Sequence, residues 1–157
     1  MRNNSIVLSI FTVFVLFAVS CKKEKEKTKT ELLTAKTWVL TSLTVNPGIY
    51  NAPDKPLITD LFTQQVACEN DNITTYNVNG KYSIDEGALK CDAQDEQNYE
   101  NGSWSFNTGE TELTTASASG INSTYTLLDL NATTLKANVS ETLQGVKYTL
   151  TYTFSAK

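Results

Sequence analysis

The chain has 157 residues, of which 40% are apolar and 10% aromatic, a composition typical of a globular domain with its own core. Five lysines and two glutamates give residues 22–29 a net charge of +3, whereas seven lysines and fifteen acidic residues give residues 30–157 a charge of −8. Phosphate contacts need clustered lysine and arginine, so we do not expect this acidic domain to bind nucleic acid.

The first segment has the features of an export signal. Arg2 provides a positive start, and the largely apolar stretch 6–19 spans 14 residues, fewer than the roughly 20 that a transmembrane helix needs. Ala18-Val19-Ser20-Cys21 follows and resembles the lipobox of bacterial lipoproteins, in which the cysteine is acylated. We therefore predict a signal peptide at 1–20, lipidation of Cys21, a charged tether over 21–29 and anchoring at the cell outer membrane, on either side. An ordinary secretory signal with a chance cysteine is the alternative.

Two short helical segments are predicted between the tether and residue 71. Thr30-Glu31-Leu32-Leu33 offers a capping residue and two apolar anchors, which predicts a short helical turn closing one end of the domain. Prolines at 47, 53 and 56 interrupt residues 46–71, and within that region 58–66 predicts a short helix. Residues 87–101 are predicted to form an acidic loop.

Eight segments rich in alternating apolar and β-branched residues predict strands joined by short links. They are Lys36–Val45, Asn72–Val78, Lys81–Glu86, Gly102–Phe106, Thr111–Thr115, Thr124–Leu130, Thr134–Thr142 and Val146–Ser155. Because closure removes exposed sheet edges, we expect an all-β, eight-stranded antiparallel meander barrel, with a two-sheet sandwich as the alternative. Such a barrel holds either side chains or one small ligand.

Two strand pairs predict the register. Asn79-Gly80 is a strong hairpin signal, and placing Tyr76 and Tyr82 on one face requires a three-residue loop with a glycine bulge. The last strand alternates strictly, which predicts that its apolar face is buried against Trp38 and Trp104. That face consists of Val146, Tyr148, Leu150, Tyr152 and Phe154.

Several short stretches, spread over most of residues 31–155, resemble a known family. They are Leu33-x-x-Lys36-Thr37-Trp38-x-Leu40, Ala67-Cys68-Glu69-Asn70-Asp71-Asn72, Asn79-Gly80-Lys81-Tyr82, Gly87-x-x-x-Cys91, Gly102-Ser103-Trp104 and the closing residues 148–154. The chain is similar in these to the lipocalin-like lipoproteins of Bacteroidota. The resemblance implies a lipocalin-like barrel over residues 30–157, but no reaction and no particular ligand.

The cysteines predict one disulfide bond. If Cys21 is acylated, Cys68 and Cys91 remain as an even pair in an oxidising compartment. Cys68 lies eleven residues before Asn79 and Cys91 eleven after Gly80, so both reach the same end of the hairpin. Free thiols or a metal site are the alternatives.

The sequence offers little for catalysis. It contains no histidine, which removes Ser-His and Cys-His nucleophiles and the usual zinc sites, and it has no glycine-rich phosphate loop. We expect a protein that is not an enzyme and that holds no cofactor or metal. Weak calcium binding is the alternative for one acidic set, which we interpret as solvated loops. The set comprises Glu69, Asp71, Asp85, Glu86, Asp92, Asp95, Glu96 and Glu100.

Four aromatic residues are candidates to line a ligand cavity, with a filled barrel as the alternative. They are Trp104, Tyr82, Tyr125 and Tyr148. The first hypothesis is therefore a lipid-anchored, non-catalytic binding domain for a small apolar ligand. The second is a protein-binding or inhibitor module that uses loops 46–71 or 116–123 at one barrel end. Residues 117–120 resemble the Ser/Gly loops of lysozyme-inhibitor lipoproteins, with a plain hairpin link as the alternative.

Overall fold

The computed structural model describes residues 25–50 and 54–157, so the predicted signal peptide and Cys21 lie outside the described residues. The described chain contains two short helices, α1 (Lys29–Thr34) and α2 (Ala67–Asn70), and a 3-10 turn (Phe62–Gln64). Within these residues no helix is long and apolar enough to cross a membrane. The strands are β1 (Thr37–Ile49), β2 (Ile58–Asp60), β3 (Ile73–Tyr76), β4 (Lys81–Asp85), β5 (Asn98–Phe106), β6 (Glu112–Ser117), β7 (Asn122–Leu130), β8 (Thr134–Leu143) and β9 (Val146–Ala156).

Eight of these strands close into a barrel. From β3 to β9 each strand pairs antiparallel with the next, β1 pairs with β3, and β9 returns to pair with β1. The closing ladder runs from Trp38 opposite Ala156 to Asn46 opposite Thr149. The predicted eight-stranded antiparallel meander barrel is therefore confirmed, and the sandwich alternative is wrong.

The ninth strand, β2, replaces a predicted helix. Residues 58–66 form β2 followed by the 3-10 turn, with Ile58 opposite Ile49 and Asp60 opposite Thr44. Strand β1 is much longer than β3, so its later half has backbone groups that β3 does not reach, and β2 pairs with them. Pro47 lies inside β1, contrary to prediction, where the register between these two pairs shifts and its missing N–H interrupts no regular ladder.

Helix α1 closes one end of the barrel, which we call the base. The predicted helical turn is confirmed, but Thr28 caps it instead of Thr30: its hydroxyl accepts a bond from the Glu31 amide, and the Glu31 carboxylate accepts one from the Thr28 amide. Trp38 Nε1 donates to the Leu33 carbonyl at 2.8 Å, and both side chains are completely buried. These contacts fix the helix across the base.

The hairpin between β3 and β4 has the predicted register. Tyr76 lies opposite Tyr82, and the Asn77 amide donates to the Lys81 carbonyl at 2.8 Å, which leaves a three-residue loop. Gly80, the last loop residue, has φ of +75°, a conformation that glycine adopts without strain. The two tyrosines therefore point to the same face, toward the barrel interior.

One cluster of core residues lies in the half of the barrel next to the base. It consists of Leu33, Trp38, Tyr76, Tyr82, Trp104, Leu113 and Leu135. Of the apolar face predicted on β9, Phe154 packs against this cluster, whereas Leu150 is only partly buried and Val146 is 43% exposed. The prediction of one continuous buried face is wrong at its start, because Val146 lies at the exposed end of β9. Farther along the strand, Tyr152 and Leu150 lie opposite Leu43 and Val45 of β1, which are buried.

Candidate functional site

Part of the barrel interior, between the core cluster and the end away from the base, is hollow. It encloses a cavity of about 380 Å³, within the range of known small-molecule sites. Its open end, which we call the mouth, faces away from α1. The walls are mainly aliphatic and aromatic. They consist of Leu40, Thr74, Tyr76, Tyr82, Ile84, Leu113, Thr115, Tyr125, Leu135, Ala137, Tyr152 and Phe154.

Strand alternation explains why this interior is apolar. Every second residue of a strand faces the same side, so Leu135 and Ala137 of β8 point inward next to Phe154 and Tyr152 of β9. Ala137 lies directly opposite Tyr152 and provides only a methyl group, which leaves space beside that ring. The small side chain of Ala137 thus contributes to the space inside the barrel.

Two tyrosines of the walls, Tyr76 and Tyr152, are uncharged near neutral pH. Burial raises the pKa of Tyr76 above its ordinary value and that of Tyr152 to about 12. The rings of Tyr125 and Tyr152 meet edge to face at 5.7 Å between centroids, a favoured arrangement of aromatic rings. The walls therefore offer a ligand aromatic faces without ionic charge.

The mouth is polar. Five residues form it: Gln65 and Glu69 at α2 and the turn before it, Asn72 before β3, and Tyr99 and Glu100 at the start of β5. The Tyr82 hydroxyl donates to Glu100, and the Asn72 amide donates to the Tyr99 hydroxyl at 3.0 Å.

Negative charge surrounds the mouth tyrosines. Burial, followed by the hydrogen bond to the Glu100 carboxylate, raises the pKa of Tyr82. Burial, followed by the charges of Glu100, Glu86 and Glu69, raises the pKa of Tyr99. Three carboxylates thus act on one ring at the entrance to the cavity.

Sequence analysis did not predict the first four residues of β5, which include Glu100. Residues 98–101 were predicted as part of an acidic loop but begin β5, where Glu100 lies opposite Ile84. A signal was available: stepping back by two from Trp104 through Gly102 reaches Glu100, which puts it on the inner face. Gln65, Asn72 and Tyr99 had no comparable signal, since they lie at or beyond strand ends.

The predicted disulfide bond is present. Cys68 and Cys91 are bonded with their Cα atoms 5.2 Å apart, so the alternative of free thiols is wrong. Cys68 lies in α2, next to Glu69, and Cys91 in the loop after β4. Asp71 Oδ2 accepts bonds from the Ala88 and Leu89 amides at 2.7 and 2.9 Å. Together these contacts fasten α2, and with it Glu69, to the rim of the barrel.

The four aromatic candidates fall into two groups. Tyr82 and Tyr125 line the cavity. Trp104 lies deeper, in the core, where its Nε1 donates to the Asn77 carbonyl at 3.0 Å and its ring packs edge-on against Phe106. Tyr148 is partly buried on β9 opposite Glu141 and is not among the lining residues.

The structure also shows how the acidic residues and the Ser/Gly loop are arranged. In residues 25–50 and 54–157, no group of three or more histidine, cysteine, aspartate or glutamate side chains is placed to hold a metal ion. Residues 117–121 form a tight hairpin link, in which the Ser117 amide donates to the Ile121 carbonyl at 2.8 Å.

Comparison of the chain with models of known protein families and with characterised proteins gave no match. The similarity to lipocalin-like lipoproteins of Bacteroidota stays a prediction. The function is therefore argued from the cavity itself.

Proposed function

We propose that this protein is a non-catalytic binding domain of the cell envelope, anchored at the outer membrane by a lipid on Cys21, that takes a small, largely apolar ligand into its barrel. The observation that carries the proposal is the cavity of about 380 Å³, with aromatic and aliphatic walls and one open end. Burying apolar surface in such a preformed space contributes roughly 25 cal/mol per Å² removed from water. The alternative of a protein-binding module stays a prediction.

Two neighbouring threonines allow a direct test of ligand uptake. Thr115 lines the cavity, whereas Thr114 faces outward and its hydroxyl bonds to that of Thr124 at 3.1 Å. The probe is N-phenyl-1-naphthylamine, a neutral apolar dye that fluoresces when it leaves water. The protein carries Cys21→Ser, so that no lipid tail competes for the cavity.

We expect the dye to bind with micromolar affinity, to bind poorly to Thr115→Phe, whose ring fills the cavity, and to bind normally to Thr114→Phe. Equal binding by the two phenylalanine variants, or no uptake by the parent protein, would rule out the barrel as the ligand site.

The anchor is tested separately. Fatty-acid labelling should mark the native protein and not Cys21→Ser, and a label that persists would place the lipid elsewhere.

A further inference from the structure

The polar atoms at the mouth are mostly hydrogen-bond acceptors. Two of them, Gln65 Oε1 and Asn72 Oδ1, are buried and receive no hydrogen bond. The amide nitrogen of Asn72 donates to the Tyr99 hydroxyl, which leaves its Oδ1 without a donor. A buried acceptor without a donor is unfavourable, and the side chains that carry these two oxygens line the opening.

Two carboxylates add negative charge to these acceptors. Glu69 and Glu100 line the same opening. One oxygen of Glu100 accepts the Tyr82 hydroxyl, and one oxygen of Glu69 accepts the Val66 amide at 3.3 Å. Each carboxylate has a second oxygen for an incoming donor. Among the described residues that line the cavity, none is a lysine or an arginine.

A third carboxylate lies just behind the mouth. Glu86 lies one residue past the end of β4, at an interval of two from the inward-facing Ile84, and is not among the lining residues. Its side chain is only 8% exposed, and its Oε2 is buried without a hydrogen-bond partner. Together with Glu69 and Glu100, this carboxylate makes the potential at the mouth negative.

We propose that the ligand is a cationic amphiphile, with an apolar body that fills the barrel and a primary ammonium or similar donor-rich positive head that binds between Glu69 and Glu100. This inference rests on the proposed function, since it describes the ligand of the same cavity. An ammonium head supplies three donors, enough for two carboxylates and one amide oxygen. A fatty-acid carboxylate in the same place would meet like charge and would leave every acceptor unpaired.

The test compares three probes with the same ten-carbon chain and different heads: decylamine, which is protonated at neutral pH, decanol and decanoate. Each is titrated calorimetrically into the Cys21→Ser protein below its aggregation threshold. Because hydrogen bonds to charged groups contribute about 1.5–3 kcal/mol, we expect decylammonium to bind at least about tenfold tighter than decanol. Decanoate should bind most weakly, and added salt should reduce the preference because the mouth is open to solvent.

Matched variants assign the preference to the two carboxylates. Glu69→Gln combined with Glu100→Gln should abolish the advantage of decylammonium and leave decanol binding unchanged. Glu26→Gln combined with Glu96→Gln changes net charge by the same amount at two exposed positions that are not among the lining residues, and should retain the advantage.

Each result has one meaning. Decanoate binding as well as or better than decylammonium would overturn the cationic head, and so would equal losses in the two double variants. In both cases chain uptake, and with it the proposed function, would stand. Failure of all three probes and of the neutral dye would instead overturn the proposed function.

Discussion

Gly102 lies directly opposite Tyr82, and the Tyr82 ring occupies the space that a side chain on Gly102 would need. A Cβ atom at position 102 would lie 2.4 Å from Tyr82 Cε1 and 2.3 Å from the Ala116 carbonyl oxygen. The ring lies across β5 only because residue 102 has no side chain. The position of the ring in turn determines where its hydroxyl meets Glu100.

Gly102→Ala should therefore destabilise the barrel. Forcing a methyl group against backbone and a buried ring costs typically 1–3 kcal/mol, and we expect the upper part of that range in urea unfolding. Gly109→Ala is the control, because a Cβ there would meet only Thr111 atoms, 3.7 Å away or farther. Equal stability of the two variants would mean that the close contact is relieved by a shift of the strands.

Removing the disulfide bond should lower stability and loosen the mouth. The bond closes a loop with a sequence separation of 23, for which the chain-entropy estimate is about 3 kcal/mol. We expect a loss near that size for the Cys68→Ser/Cys91→Ser protein and for native protein under reductant. Because Cys68 adjoins Glu69, the head-group preference should weaken in parallel. Unchanged urea midpoints after reduction would contradict the stabilising role.

Truncations along the barrel should have graded effects. Leu135 is 2% exposed in the core near the base, so Leu135→Ala should cost about 2–5 kcal/mol. Leu150 faces the open half and is only partly buried, so Leu150→Ala should cost less, about 1–2 kcal/mol. Urea melts of both variants measure the difference. A larger loss at Leu150 would mean that the stabilising core lies at the mouth.

Alkaline pH should destabilise the protein through its buried tyrosines. Burial raises the pKa of Tyr76, Tyr82 and Tyr152 above the ordinary value of 10, for Tyr152 to about 12. As pH rises past 10, the unfolded chain loses phenolic protons that the folded chain keeps, so the free energy of unfolding falls. We expect the fall between roughly pH 10 and 12 in urea melts.

Tyr152→Phe should reduce that fall by roughly 1–2 kcal/mol, somewhat less than the full pKa shift implies because the ring is partly exposed. Tyrosinate absorbance measured across the same pH range reports the ionisation directly. If the native protein and the urea-unfolded protein titrate together, these tyrosines are not protected and the explanation is wrong.

The sequence predicted the barrel wherever the interior is apolar. In β8, Leu135 and Ala137 alternate with polar neighbours, and the Tyr76–Tyr82 pair gave the hairpin register. The alternation is informative there because one face of the strand is buried in the barrel interior and the other faces solvent. The disulfide bond was predicted from the even pair that remains when Cys21 is set aside and from the spacing of Cys68 and Cys91 about the hairpin.

The site was harder to predict because its mouth is polar on the inside. Glu100 faces inward, so the start of β5 shows no contrast between its two faces and was interpreted as a loop. Strand β2 is three residues long and forms by pairing with the part of β1 that β3 does not reach. No local sequence pattern reveals such a pairing. Gln65 and Glu69 reach the mouth through the position of α2 and the turn before it, which depends on long-range contacts that include the disulfide bond and the bond from the Leu61 amide to the Leu43 carbonyl.

The ladder between β1 and β9 also determines at which end of the barrel an attachment would lie. The residues that lead into α1 and the last residue of the chain lie together at the base, where the Lys157 amide donates to the Thr37 carbonyl at 2.9 Å. A support that holds the protein by either of these segments, whether a bilayer or a sensor chip, is therefore attached at the closed end. The entrance to the cavity lies at the opposite end of the barrel from this attachment, so ligands reach it without passing the support.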